Sequence, residues 1–242
     1  MTHITRSILD NEIADLNSDV VKMASMVDEA IGNAVEALTT SNIDLANEVT
    51  AGDAEINNLR FQIEEKAYVI LATQQPAARD LRTVIAAIHF AVELERIGDH
   101  AAGIARIVTR LEGVPVTVDE IVIVETAEEG EVEIPHLNLS RLPKMSKRAR
   151  DMLSRAIDAY INRDVEYAYA IVKRDQKIDR HYRKFFAEAM ASLSSQSIAE
   201  LPTYLLWIAH DLERIGDRAT NLAERVIFMV TGQYTEVLED FE

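Results

Sequence analysis

Apolar residues recur at intervals of three and four along most of the chain, which is the spacing of an amphipathic helix. The first such run covers residues 8–38 and contains Ile13, Leu16, Val20, Met23, Val27, Ile31, Val35 and Leu38. Ser41 and Asn42 interrupt the pattern, and a second helical run follows through Leu71. Because Pro76 disfavours helix at the preceding residue and suits a first helical turn, we predict that a third helix covers about 76–111.

The second half of the chain repeats this order of helices and breaks. Helices are predicted over about 142–162, 164–193 and 200–230, and Pro202 lies near the start of the last one as Pro76 does in the first half. We therefore predict an all-α fold of two tandem antiparallel three-helix bundles, with six long helices. The first unit covers residues 6–112 and the second covers 141–232. A helix of about 30 residues is about 45 Å long, so elongated units are expected.

Residues 113–140 connect the two units and have a different composition. The stretch "VTVDEIVIVE" is rich in β-branched residues, and "EEG" could turn it back as a small hairpin. A mobile acidic linker is the alternative interpretation. The stretch "RLPKMSKRAR" at 141–150 is the one basic cluster, and it is either a solvated helix start or a docking site for an acidic partner.

A motif with paired carboxylates occurs once in each unit. The stretches "ELERIGDHAAGIA" at 93–105 and "DLERIGDRATNLA" at 211–223 share the residues LERIGD. Glu95 and Asp99 are four apart, as are Glu213 and Asp217, so each pair lies on one helix face and its like charges repel. Both pairs continue an apolar stripe, where unpaired charges would be costly to bury.

Arginines, solvent or a bound cation could offset this repulsion. Arg96 and Arg214 follow each Glu directly and should point away, which makes them poor local partners. The preceding helix of each unit can add carboxylates: Asp175 and Asp179 in the second unit, and Asp53, with Asn57, in the first. Oxygen ligands suit Mg²⁺, Mn²⁺ and iron. The alternative is a set of helix-surface charges and interhelical salt bridges.

Glycines inside the motifs also need a reason, because Gly in a helix costs about 1 kcal/mol relative to Ala. Gly98 and Gly216 occupy the same position of the two LERIGD stretches. Either they allow close helix packing or they leave room for ligands beside the carboxylates.

Composition narrows the class of protein. A net charge of −16 argues against nucleic acid as a partner. The absence of cysteine, of a secretory signal and of an 18-residue apolar run predicts a cytoplasmic protein. No Gly-rich phosphate loop or nucleophile motif is present, and no helical Glu-x-x-His motif of a di-iron site. We therefore predict no catalytic residues and no enzyme activity.

The repeated motifs resemble those of the PhoU family, regulators of phosphate signalling in bacteria and archaea. The resemblance rests on the stretches "GDAEIN", "LATQQPAARDLRTVIAAI", "LERIGDHAAGIA", "RDQKID" and "DLERIGDRATNLAE". It implies two similar three-helix bundles side by side, with multinuclear clusters of iron or zinc, Mn or Mg also being possible. The implied metal ligands are Asp53, Glu95, Asp99, Asp175, Asp179, Glu213 and Asp217.

The chain departs from the family pattern at three places. Asn57 replaces the usual Asp, and Gly103 stands where the second unit has Asn221, so the first cluster is expected to bind metal more weakly. The linker is longer than expected for the family, and its role cannot be transferred.

The resemblance implies regulation rather than catalysis. It predicts an adaptor between the ATPase subunit of a phosphate ABC transporter and a sensor histidine kinase, which limits phosphate uptake and the starvation response. It also implies a homodimer that reaches the membrane only through its partners. Two alternatives stay open: a phosphatase-like metalloenzyme built on the carboxylate cluster, and a metal-free helical adaptor for another phosphate carrier.

Overall fold

The computed structural model describes residues 3–113, 137–172, 176–192 and 200–233, and all regular elements within them are helices. The all-α prediction is therefore confirmed. The helices are α1 (His3–Thr40), α2 (Ile43–Gln74), α3 (Arg79–Arg110), α4 (Arg141–Asn162), α5 (Val165–Val172), α6 (Gln176–Ser192) and α7 (Glu200–Thr231). The helix expected over 164–193 corresponds to α5 and α6, on either side of 173–175. The possible hairpin falls in 114–136, outside the described residues.

Local backbone chemistry explains where α2 and α3 begin. Asn42 caps α2, because its side-chain oxygen accepts a hydrogen bond from the Leu45 amide at 3.0 Å. The third helix begins at Arg79, three residues later than predicted. Gln75 adopts the left-handed conformation with φ of 48°, and Ala78 also has a positive φ, 46°, so the chain turns before it re-enters a helix.

The two LERIGD helices, α3 and α7, lie at the centre of the molecule. In the first unit α3 packs against α1 and α2, while in the second α7 packs against α4, α5 and α6. The two central helices also pack against each other, and α1 contacts α4. Leu94, Ile97 and Ile104 of α3 are fully buried in one core that includes Leu212 and Ile215 of α7.

The seam is the contact between α3 and α7. Polar contacts across the seam follow the sequence repeat. Glu93 accepts hydrogen bonds from Arg218 at 3.3 Å and from Asn221 at 3.2 Å. His100 Nδ1 lies 3.0 Å from Asp211 Oδ1. Glu93 matches Asp211, and His100 matches Arg218, at the repeat offset of 118 residues. Each unit thus presents the same helix face to the other, as in a two-fold symmetric interface.

A second set of contacts joins α1 to α4. The Arg150 guanidinium donates to both carboxylate oxygens of Asp28, at 2.8 and 2.7 Å. Farther along the same helices, the buried Tyr160 hydroxyl donates to Asn17 Oδ1 at 2.6 Å. Bidentate arginine–carboxylate pairs fix geometry as well as adding energy, so these contacts set how α4 lies against α1.

Candidate metal centres

The structure brings three predicted ligands of the second unit together. Asp179 lies on α6, and Glu213 and Asp217 lie one turn apart on α7. One oxygen from each carboxylate can be chosen so that all three lie within 4.8 Å of one another. All three residues are half-buried. Asp175, the fourth predicted ligand of this unit, lies outside the described residues.

An arginine contacts this cluster of three carboxylates, contrary to the sequence prediction. Arg214 Nη1 donates to Asp217 Oδ2 at 2.7 Å. The prediction that Arg214 is a poor local partner is wrong, because Asp217 is three residues on and the long arginine side chain reaches back along the helix. Arg96, its counterpart in the first unit, pairs instead with Glu93 at 3.0 Å. The two units therefore balance their carboxylate charges differently.

The group also affects a neighbouring tyrosine. Burial, and then the negative charge of Glu213, raise the pKa of Tyr182 on α6. The phenol therefore stays neutral beside the carboxylates at physiological pH. A neutral hydroxyl leaves the negative potential of the three carboxylates available to a cation.

The first unit gathers its predicted ligands between α2 and α3. Asn57 Nδ2 donates to Asp53 Oδ2 at 3.2 Å, while Asp53 Oδ1 is buried and has no hydrogen-bond partner among the described residues. Burial first, and then the charge of Asp99, raise the pKa of Asp53 and the pKa of Glu95. Arg60 partly offsets this at Glu95, since its Nη1 lies 3.5 Å from Oε1.

Both groups offer the ligand chemistry of a hard or borderline cation. The donor atoms are oxygens throughout, and the buried, unpartnered Asp53 Oδ1 is an acceptor that a cation would satisfy. A divalent ion would also reverse the raised pKa of Asp53, because its charge favours the ionised carboxylate. Among the described residues, three carboxylates approach within 4.8 Å of one another in the second unit only, so the second unit fits an ion more closely.

Gly98 shows how α3 comes close to α2 at the first group. A Cβ atom at this position would lie 3.2 Å from two carbons of the Ile56 side chain and 3.6 Å from Asp53 Oδ1. Of the two reasons left open by the sequence, close helix packing is the one that the geometry supports. The packing in turn brings Asp53 beside the α3 carboxylates.

Comparison with known proteins identifies the family of this chain. Residues 20–108 and 142–226 match the PhoU domain family. The chain belongs to the PhoU family. A "Phosphate-specific transport system accessory protein PhoU homolog" from Clostridium acetobutylicum is 30% identical, over 97% of this chain and 99% of the relative. A homolog of the same name, numbered 1, from Thermotoga maritima is 34% identical, over 93% of this chain and 89% of the relative.

Two solved PhoU structures share the fold. The crystal structure of PhoU from Pseudomonas aeruginosa superposes with a TM-score of 0.79 at 31% identity, covering 93% of this chain and 99% of that one. The phosphate transport system regulatory protein PhoU from Streptococcus pneumoniae gives 0.81 at 27% identity, covering 95% and 100%. The predicted fold and family are therefore confirmed along nearly the whole chain.

One of the departures from the PhoU pattern bears on the interface rather than on the ligands. Gly103 faces α7, and a Cβ there would lie 3.1 Å from Asp211 Oδ2. Its repeat counterpart Asn221 hydrogen-bonds Glu93 across the seam. The expectation that the first cluster binds metal more weakly stays a prediction. Asn57 bears on it directly, because its side chain hydrogen-bonds Asp53 but carries no negative charge.

The sequence reasoning missed the arginines of the first group. Arg60 approaches Glu95, and the charge of Arg106 lowers the pKa of Asp53. Spacing could have indicated both, because Arg60 follows Asp53 by seven residues and Arg106 follows Asp99 by seven, which keeps each arginine on the helix face of the predicted ligand.

None of the described helices is long and apolar enough to span a bilayer.

Proposed function

We propose that this PhoU-family chain is a regulatory accessory protein of a phosphate transport system and has no catalytic reaction of its own. The observation that carries the proposal is the similarity to relatives bearing the accessory-protein name, which extends over 97% of the chain and includes both units. Adaptors of this kind act through surfaces, and the joined bundles provide long helical faces for docking.

In the finer form of the proposal, the chain links the ATPase subunit of a phosphate ABC transporter to a sensor histidine kinase in the cytoplasm. The outer face of α2 supports a docking role, because Phe61, Tyr68 and Val69 are each more than half exposed there. Exposed apolar residues that cluster on one face are typical of interaction surfaces. A homodimer that reaches the membrane only through these partners is part of the same proposal.

Affinity capture from phosphate-replete cells tests the partners. A tagged parent chain should retain both the transporter ATPase and the kinase. The double substitution Phe61→Ser with Tyr68→Ser should lose at least one of them, because it removes apolar contact area without touching the core. Ile161→Ser, which removes an exposed apolar side chain of α4, is the control. Recovery of neither protein with the parent chain would overturn the adaptor role.

We further propose that carboxylates hold the metal, iron or zinc first, with manganese or magnesium as alternatives. Asp179, Glu213 and Asp217 would hold it in the second unit, together with Asp175. In the first unit the ligands would be Asp53, Glu95 and Asp99. A bound ion would supply positive charge that offsets carboxylate repulsion and links α6 to α7, or α2 to α3. Arg214 would have to release Asp217 or share it.

Removing the α7 carboxylates tests the second centre. Glu213→Ala with Asp217→Ala should lower the metal content per chain, because two of the three converging carboxylates are lost. Elemental analysis of purified protein measures this directly. The control, Glu48→Ala with Glu65→Ala, removes two exposed carboxylates outside both groups and should leave the metal content unchanged. Equal metal content in parent and variant would contradict the assignment.

A further inference from the structure

A cleft of about 300 Å³ opens along the seam between α3 and α7. Gly103, Arg106 and Arg110 line it from α3, and Trp207, His210 and Asp211 line it from α7. None of these residues belongs to the proposed metal ligands. The cleft therefore needs an account separate from the carboxylate groups.

The repeat shows that the cleft side of the seam has its own chemistry. At the offset of 118 residues, Gly103 matches Asn221, Arg106 matches Glu224, and Trp207 matches His89. Asn221 reaches across the seam to Glu93, whereas Gly103 has no side chain and lies close to Asp211, where a Cβ would come within 3.1 Å of Oδ2. The two units have thus diverged so that the cleft side is open, cationic and aromatic.

The charges in the cleft are set for an anion. Arg106 and Arg110 lie one turn apart on α3, and both are exposed. Within the part of the chain that the structure describes, neither guanidinium has an ion-pair or hydrogen-bond partner. The cleft also contains one carboxylate, that of Asp211. Its Oδ1 contacts His100 Nδ1 at 3.0 Å. Guanidinium groups bind phosphate through paired N–H donors, so the two arginines suit a phosphate group.

Trp207 adds a surface for a planar ring. Its side chain is 50% exposed, although burying an indole would be favourable. Its nearest aromatic neighbour, Tyr204, meets it edge-on at a centroid distance of 5.7 Å, which leaves an indole face for another ring to stack upon. Stacking of a base on an aromatic side chain tolerates any base, because every base has a π face.

We propose that this cleft binds a nucleoside monophosphate, with the phosphate on Arg106 and Arg110 and the base on Trp207. The volume lies at the lower end of the range for small-molecule sites, which suits a single nucleotide. The charge of Arg106 also lowers the pKa of Asp53. An anion bound to Arg106 would therefore also affect the carboxylates of the first unit.

Trp207 is the chain's single tryptophan, so its fluorescence reports on the cleft alone. Excitation at the red edge of the indole band avoids absorption by the base. AMP and UMP should each change the emission saturably, while adenosine and inorganic phosphate should bind at least tenfold more weakly. If inorganic phosphate binds as tightly as AMP, the base has no role and the proposal fails. The absence of any change with AMP or UMP at millimolar concentration also overturns it.

Substitution of the arginines tests the phosphate subsite. Arg106→Gln with Arg110→Gln should weaken AMP binding at least tenfold, because both charge-assisted contacts are lost. Arg180→Gln with Lys184→Gln is the matched control, since it removes two exposed cations one turn apart on α6. Circular dichroism verifies that both variants are folded. An equal loss in the two variants would show general attraction of anions and would overturn the proposal.

Two further variants separate the cleft from its neighbours. Trp207→Ala should weaken binding of labelled AMP in equilibrium dialysis by about tenfold, the scale of one lost stacking contact. Glu166→Gln removes an exposed carboxylate of α5, outside the cleft and both carboxylate clusters, and should leave AMP affinity unchanged. Unchanged affinity in Trp207→Ala, or a loss in Glu166→Gln, would place the nucleotide elsewhere.

Discussion

Among the predicted metal ligands of the first unit, Asp53 has the least favourable surroundings for a negative charge. One of its oxygens is held by Asn57, and the other is buried without a hydrogen-bond partner among the described residues. Burial and the charge of Asp99 both raise its pKa, against the opposing field of Arg106. A carboxyl group in this state costs stability when ionised, and a cation would convert the cost into binding energy.

Removing this charge should stabilise the metal-free protein. Because the pKa of Asp53 is raised on folding, the folded state holds the proton more tightly than the unfolded state. The resulting stabilisation is present below the ordinary value of 3.8 and is lost as pH rises through the folded pKa. Asp53→Asn should therefore raise the free energy of unfolding by about 0.5 kcal/mol at pH 7, the scale of a solvent-screened charge interaction.

Urea unfolding in the presence of a chelator, at neutral and at acid pH, measures this effect. The advantage of the variant should shrink as the pH falls toward 3.8. Glu55→Gln, an exposed carboxylate on the same helix, is the control and should show no such trend. A variant less stable than the parent at pH 7 would show that Asp53 is satisfied without metal.

At the residue scale, sequence spacing predicted which carboxylates lie together more completely than it predicted their arginine partners. Spacing of four along one helix identifies Glu213 with Asp217, because helix geometry alone puts them on one face. The approach of Asp179 depends on how α6 crosses α7, and the repeat only suggested it. The pairing of Arg214 with Asp217 depends on a side-chain rotamer, which spacing does not determine.

Among the elements, α2 depends most clearly on its first turn. The helix carries Asp53, Asn57 and Arg60 toward α3, and Asn42 satisfies one of its otherwise unpaired N-terminal amides. The break at Ser41 and Asn42 was readable from sequence, since both are typical of helix boundaries. The late start of α3 was not, because neither glutamine nor alanine favours the positive φ that Gln75 and Ala78 adopt.

Loss of this cap should destabilise the whole first unit. Asn42→Ala should lower the free energy of unfolding by about 1 kcal/mol, since alanine accepts no hydrogen bond from the Leu45 amide. Asn42→Ser is the matched control and should stay within a few tenths of a kcal/mol of the parent, because serine is an equally good cap. Urea denaturation compares the three proteins. Equal stability of the alanine variant and the parent would mean that solvent caps α2 equally well.

At the scale of the whole molecule, the two units share one interface and one core. The sequence repeat predicted two similar units, but it did not predict which faces meet. Gly103 of α3 lies close to Asp211 of α7, where a Cβ would come within 3.1 Å of Oδ2. No sequence pattern indicated this contact. Glu93 and Asp211 begin the two repeated stretches, but the repeat likewise did not indicate that they make contacts across the seam.

This shared seam should make the chain unfold in one step, although each unit is large enough to be a domain. Trp207 reports on the second unit, while far-ultraviolet circular dichroism reports on the helices of both. With metal removed, the urea transitions from the two probes should coincide, which is the signature of two-state unfolding.

Glu93→Ala extends the test to the seam itself. Glu93 is only 13% exposed and accepts hydrogen bonds from Arg218 and Asn221. Its removal leaves these partly buried donors unsatisfied, so the free energy of unfolding should fall by about 1–3 kcal/mol. Because the contact joins the units, both probes should shift to lower urea together and remain coincident. A dichroism transition that separates from the Trp207 transition, in parent or variant, would mean that each bundle carries its own stability and that the seam couples them only weakly.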